Sequence, residues 1–183
     1  MERAAELFAE RGVAGTSLDD VLAAAGAGKS QLYHYFSGRE ELEEAAVGRR
    51  CTQVLAGLTQ ALGSVASLAG LEQALAGFVA GFEQMGLPGC PIGSLAAEVA
   101  ERNEGARMQA AAAFDAWEQL FADALERMRQ RGELRADASP AMLATALLAS
   151  IEGGMALSQT RKDPASLHIA VEAGLAQVRT YLS

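Results

Sequence analysis

Cysteine is scarce in this 183-residue chain: only Cys51 and Cys90 occur, far apart and outside any C-x-x-C or Cys/His pattern. That excludes a disulfide framework and a structural zinc site, and it points to a reducing compartment, the cytoplasm. Histidine is equally sparse. With only His34 and His168, no metal-ligand spacing and no nucleophile motif, nothing supports an enzyme or a bound cofactor. Charged-then-apolar leaders are missing, and the apolar stretches are broken by charge or glycine before the roughly 20 residues that a membrane-crossing helix needs, so no membrane association is expected. Positive charge is also in short supply. A formal net charge of −8 and a pI near 4.8 exclude a protein that coats nucleic acid indiscriminately, since that binding depends on clustered Lys and Arg neutralising phosphates. A single helix can still dock on a duplex through a few cations and neutral donors, with the acidic remainder facing away.

Strict alternation of β-branched and aromatic residues is missing too, whereas alanine, leucine, glutamate and arginine recur with helical period, so the chain reads as all-α. A first helix covers Glu2 to Arg11 and ends at Gly12, where a left-handed cap is wanted. A second starts after Thr16-Ser17, with Asp19 or Asp20 completing a capping box, and ends at Gly26. After the Gly26-Ala27-Gly28 turn, a third runs from Lys29 to about Phe36, with Leu32 and Phe36 inward. Two short helices joined by a glycine-bearing turn have the helix-turn-helix form. Longer helices are predicted from Arg39 to about Leu62, Leu71 to Met85, Ile92 to Arg102, Glu104 to Gln130, Pro140 to Arg161, and past Pro164 to about Tyr181. The segment 86–91, with Pro88 and Pro91, must interrupt the helical pattern.

The third helix offers Lys29, Ser30 and Gln31 on its first turn, a charge and hydrogen-bonding groups suited to base edges. Tyr33 and His34 follow, able to donate to phosphate oxygens. Thr16 and Ser17 sit at a helix N-terminus that attracts anions, and Arg39 opens the next helix as another phosphate clamp. Capping hydroxyls occur in any helical protein, and Tyr33 or Tyr35 taken alone reads as packing; the agreement of caps, turn and aromatics across the segment carries the functional reading. Gly28-Lys29-Ser30 also looks like the end of a G-x-x-x-x-G-K-S phosphate loop, but Ala23 replaces the first glycine and a helix precedes it rather than a strand.

The stretch from Thr16 through Leu32-Tyr33-His34-Tyr35-Phe36 to Arg39-Glu40-Glu41-Leu42 resembles the DNA-binding segment of TetR-family repressors. Further along, Gly89-Cys90-Pro91-Ile92-Gly93-Ser94-Leu95-Ala96 resembles the subgroup related to LmrA and YxaF, and 132–137 is similar to a connection common in the family. Family members usually carry several residues, often a cation among them, ahead of the apolar pattern that starts here at Ala4; either the chain begins late or that phosphate contact is missing. The resemblance implies a three-helix DNA-binding domain over residues 1–45 and a helical effector-binding and dimerisation domain over 46–183. It also implies a homodimer, a palindromic double-stranded operator and repression relieved by an unidentified small-molecule effector.

In the family the last two long helices pair with their copies, which makes Leu143, Leu147, Leu148, Ile151, Leu175 and Val178 the expected dimer interface, with Gly153-Gly154 allowing close helix approach. A ligand pocket is expected among Phe78, Phe82, Met85, Met108 and Phe114, joined by Trp117, Phe121, Ile151 and Met155, whose aromatic and thioether groups suit a flat apolar ligand. Each of these also reads as ordinary core. Glu98 and Glu152, in apolar surroundings, are candidates to orient a ligand. A thiol sensor is the rival regulatory reading, with Cys90 in an exposed loop and Cys51 held as thiolate by Arg49 and Arg50. A helical ligand-binding dimer without DNA binding is the remaining alternative.

Overall fold

The computed structural model describes residues 2–13 and 15–183. Among them every regular element is an α-helix: α1 Glu2–Arg11, α2 Leu18–Ala25, α3 Lys29–Tyr35, α4 Arg39–Leu62, α5 Leu68–Gln84, α6 Pro91–Val99, α7 Glu104–Gln130, α8 Pro140–Arg161 and α9 Ala165–Arg179. The all-α expectation, with three short helices leading, is what the fold shows. Local chemistry sets the boundaries. Ser17 caps α2 and shares a full capping box with Asp20, and Gly26 ends the helix at φ 61°. Ser139 caps α8 ahead of Pro140, whose missing N–H costs nothing at that position. Helix α5 begins three residues before the expected Leu71, because the Ser67 hydroxyl accepts the Gly70 N–H and starts the helix through the Ala69-Gly70 pair read as a break. Helix α6 stops at Val99, short of Arg102, and Asn103 caps α7 by accepting the Ala106 N–H at 3.0 Å.

The chain divides into two compact units. An N-terminal unit runs through Val54 and again over Pro91–Phe114; a C-terminal unit takes Leu55–Cys90 and Asp115–Ser183, so α4 and α7 are each shared. In the N-terminal unit Phe8, Val13, Leu22, Leu32, Leu42 and Val47 are buried, along with Ile92, Val99 and Ala106. The loop after α1 is held at Val13: its N–H donates to Glu98 Oε2 at 2.6 Å and its carbonyl accepts from Arg39 at 2.7 Å. Glu43 is itself buried, and its carboxylate takes Arg39 at 2.7 Å and Arg102 at 3.6 Å, the pairing that an ion out of water requires.

In the C-terminal unit α8 and α9 form an antiparallel hairpin across a turn at Lys162, which adopts φ 55°. Close approach is made possible by Gly154 and Gly174: a Cβ on Gly154 would lie 2.8 Å from Ala170 Cβ and 3.0 Å from Leu167 Cα, and one on Gly174 would lie 2.8 Å from Leu147 Cδ2. The Ser158 hydroxyl, fully buried, accepts the Leu167 N–H at 3.0 Å. Arg127 closes the end of α4 by donating to the carbonyls of Leu62 and Val65. By length and composition α8 could cross a membrane, contrary to the expectation that no apolar stretch is long enough, yet eight of its residues are buried in this unit.

That burial corrects the expected dimer surface. Leu143, Leu147, Leu148 and Ile151 on α8, and Leu175 and Val178 on α9, are all buried within the C-terminal unit of the single chain. The outward faces of the hairpin carry Met142, Ala149, Gly153 and Leu157 on α8, and Ile169, Ala173 and Ala176 on α9.

Candidate nucleic-acid interface and apolar cavity

Helix α3 has seven residues and buries one of them, Leu32. Lys29, Ser30, Gln31, Tyr33, His34 and Tyr35 are exposed, Tyr33 at 57% and Tyr35 at 66%. Tyr35 and His34 meet edge-on with ring centroids 4.9 Å apart, and with Gly28, Ser30, Gln31 and Tyr33 they line one open hollow. Read alone, Tyr35 looked like packing, and the structure places it on the surface beside the expected contacts. Phe36 lies past the helix end in extended backbone, half-buried. Lys29 pairs with Asp19 at 3.2 Å, an exposed pair that a phosphate or a base edge can replace at small cost.

The flanking positions divide. Ser17 is exposed at the start of α2, where its hydroxyl and its N–H both donate to Asp20 Oδ2, and these two bonds, the hydroxyl's first, hold the Asp20 carboxyl below its ordinary pKa; the same hydroxyl accepts the Asp20 N–H. Glu41 does the same at the start of α4 by accepting the Ser37 N–H, with its pKa lowered for that reason. Thr16 does not match the expectation of a phosphate contact: it is 1% exposed and its hydroxyl donates to the Gly12 carbonyl at 2.8 Å. Arg39 is likewise turned inward, with Nε on Glu43 and Nη2 on Val13, so it fixes the α1 loop to α4. Glu98, considered as a ligand group, instead accepts the Val13 N–H. Sequence reasoning missed Asn103, which caps α7 and donates to the Glu40 carbonyl at 3.0 Å; an Asn directly before a helix start is the signal that could have found it.

In the C-terminal unit Phe78, Trp117, Phe121 and Ile151 come together with Leu58, Ala61, Leu62, Ala74 and Leu75 around a small apolar cavity of about 20 Å³. Trp117 lies 5.9 Å from the Phe78 ring and 6.4 Å from Phe121, centroid to centroid. The remaining expected pocket residues are elsewhere. Phe82 and Met155 are buried core, Met85 is exposed at the end of α5, and Met108 and Phe114 belong to the N-terminal unit, Met108 exposed.

Neither cysteine has the environment of a sensor. Cys90 is buried instead of exposed, and its thiol bonds to Glu152; Cys51 is buried, and that burial pushes its thiol up, opposite to the thiolate expected from neighbouring arginines. The Glu152 carboxyl is raised above the ordinary range by burial, an effect that the Cys90 bond only partly offsets.

A helix-turn-helix whose second helix presents polar and aromatic groups to solvent, followed by an α-helical unit with an apolar cavity, defines a DNA-binding transcriptional regulator rather than an enzyme. The chain belongs to the TetR family. Residues 1–46 match the family model described as bacterial regulatory proteins, tetR family, and residues 67–173 match that of the transcriptional regulator LmrA/YxaF-like C-terminal domain. Among its relatives, the HTH-type transcriptional regulator LmrA of Bacillus subtilis (strain 168) is 30% identical over 174 residues, 93% of this chain and 90% of the relative. The HTH-type transcriptional repressor DhaR of Mycobacterium sp. (strain GP1) is 27% identical over 158 residues, 85% of this chain and 78% of the relative. The crystal structure of regulatory protein TetR from Rhodobacter sphaeroides superposes with a TM-score of 0.79 at 26% identity, covering 96% of this chain and 94% of that one.

Proposed function

We propose that the chain acts in the cytoplasm as a homodimeric repressor that holds a palindromic operator and leaves it when a small molecule binds the C-terminal unit. The observation that carries the DNA half is α3, with one residue inward and six exposed. Lys29, Ser30 and Gln31 read base edges in the major groove, while Tyr33 and His34, joined by Tyr35, set register on the phosphates. Ser17 supplies a further backbone contact at the start of α2. One seven-residue helix reaches few bases, so a two-fold dimer reading half-sites about 34–36 Å apart is the economical arrangement. The outward faces of α8 and α9, with Met142 at 49%, Leu157 at 46% and Ile169 at 70% exposure, supply the apolar surface for that pairing.

Release follows from linkage: a ligand that binds one dimer conformation better than the other shifts the population, and operator affinity falls by the same coupling factor. Helix α6 continues the chain directly from the 86–90 segment of the C-terminal unit, and its Glu98 holds the loop after α1, which supports α6 as the element that carries the shift. Selection of bound duplexes from a random pool tests the reading, with intact protein against a Tyr33→Ala/His34→Ala variant at fixed moderate salt. The intact protein is expected to enrich a palindrome and the variant to bind it at least about tenfold more weakly, the loss of one or two charge-assisted contacts. Equal enrichment by both proteins, or none by the intact one, would overturn the assignment of α3.

A further inference from the structure

We propose that Asp19 reads DNA together with Lys29: the ion pair they form between α2 and α3 is the donor and acceptor complement of one G·C base pair per half-site, in one orientation. This rests on the α3 reading above and adds a specificity-determining residue from the neighbouring helix. Lys29 Nζ stands 3.2 Å from Asp19 Oδ1, and both side chains are open to solvent, Lys29 at 67% and Asp19 at 74%. The first residues of a recognition helix are the ones that meet base edges, and Lys29 opens α3. Wherever Lys29 makes a hydrogen bond to an edge, Asp19 Oδ1 lies within about 6 Å of the same atom, two bond lengths away. The protein's own needs do not explain the carboxylate. Asp20, and not Asp19, completes the capping box of α2, and an exposed ion pair contributes little to stability. Lys29 is the one lysine or arginine of α3, in a chain of net charge −8. Tying it to an acid weakens the pull on phosphates that any DNA would exert, so Asp19 is useful only in choosing among sequences.

In the major groove a G·C pair offers the guanine N7 and O6 acceptors and, next to O6, the cytosine N4 amine as a donor. O6 and N4 are hydrogen-bonded to each other, which sets them about 2.7–3.2 Å apart. The Nζ–Oδ1 separation of 3.2 Å falls in that range. Lys29 therefore donates to O6 while Asp19 accepts from N4, and the ion pair stays closed as the base pair is read. A carboxylate has lone pairs for both partners at once. A phosphate offers no such fit, because it takes Lys29 and repels Asp19. The other base pairs match less well. T·A keeps the order of acceptor and donor, but Lys29 then faces the thymine methyl where guanine has N7, and Asp19 faces the adenine N7, acceptor against acceptor. C·G and A·T reverse the order and oppose like groups at both positions.

The test starts from the operator that the full-length protein selects from a random pool at fixed moderate salt. Each cytosine of one half-site is then replaced in turn by deoxyzebularine, the cytosine nucleoside without its N4 amine. The duplex loses the same internal hydrogen bond whichever protein binds, so comparing proteins isolates the contact to Asp19. At one cytosine the replacement should weaken wild-type binding about tenfold, the worth of a hydrogen bond to a charged acceptor, and Asp19→Ala binding by less than about twofold. Asp19→Asn, which keeps an acceptor oxygen without its charge, should fall between the two, and it serves where the alanine frays α2. Reversing that pair to C·G should cost the wild-type protein more than changing it to T·A. Random-sequence DNA should be bound more tightly by Asp19→Ala than by the wild type. A penalty that persists at the same cytosine in Asp19→Ala, or an equal loss of affinity by the variant for every sequence, would overturn the proposal, since a merely structural acid gives that result. A palindrome with no such cytosine would overturn it and leave the α3 reading standing; no palindrome at all would overturn both.

Discussion

Helices α3 and α8 treat their side chains in opposite ways. Helix α3 spends seven residues to bury Leu32 and leaves the rest to solvent, whereas α8 uses 22 residues and buries eight, from Leu143 to Ser158. The first is held by its neighbours for the sake of its surface; the second is what its neighbours are held to. A helix buried on most sides tolerates little change, while one exposed on most sides can change its contacts without disturbing the fold. Stability and recognition are therefore separated along the chain.

Leu147→Ala tests the α8 side most severely. Its side chain is 1% exposed and meets Gly174, so the variant should lose about 2–5 kcal/mol in urea unfolding, the range for truncating a buried leucine. Simple dissociation of a dimer with unchanged subunit stability would restore the residue to an interface. Next comes the glycine pair. Gly154→Ala should cost about 1–3 kcal/mol because its Cβ meets the α9 backbone, while Gly153→Ala, open on its outer side, should gain a few tenths up to about 1 kcal/mol from helix propensity. Losses of similar size at both would show that the two faces are equally packed.

Ile169→Arg sharpens the comparison from the outside. A residue 70% exposed contributes little to its own subunit, so thermal stability measured below the dimer concentration range should change by less than about 0.5 kcal/mol, while sedimentation equilibrium shifts toward monomer. A variant that stays dimeric would move the interface off this face. The smallest effect is a pH slope. Between the ordinary carboxyl pKa and the raised one of folded Glu152, the native state holds the extra proton, so its stabilising contribution is present at low pH and lost as pH rises through that window. Glu152→Gln should flatten the fall, and the variant should gain on the parent at about pH 7 and not at about pH 4. Parallel pH curves would mean that the carboxyl is better solvated than its burial indicates.

Much of this architecture was legible in advance, and for local reasons. Helices α7 and α8 begin and end where caps, prolines and charge place them, and the α2–α3 turn declares itself through Gly26 and Ser17. The surface of α3 could be read for the same reason: in seven residues with one apolar inward position, little else is possible. The proposed dimer face could not. When apolar residues surround α8, period alone does not say which row meets α9 and which is left outward; Gly154 and Gly174 fix the row that meets α9 through contacts distant in sequence. Thr16 and Arg39 were misread because a hydroxyl or guanidinium suits a phosphate and a backbone carbonyl equally, and only the folded loop shows which is within reach. The cavity was half visible: Phe78, Trp117, Phe121 and Ile151 belong to it, but no spacing reveals that four helices leave a gap there.

The lone indole has a further consequence. Because Trp117 is the only strong fluorophore and sits in hydrocarbon, its emission should start at short wavelength and lengthen whenever a polar group arrives, so the protein carries a built-in optical gauge of what its cavity holds. Occupancy could be followed in unmodified protein, on DNA or off it, through an optical signal that α3, with no tryptophan of its own, does not contribute to.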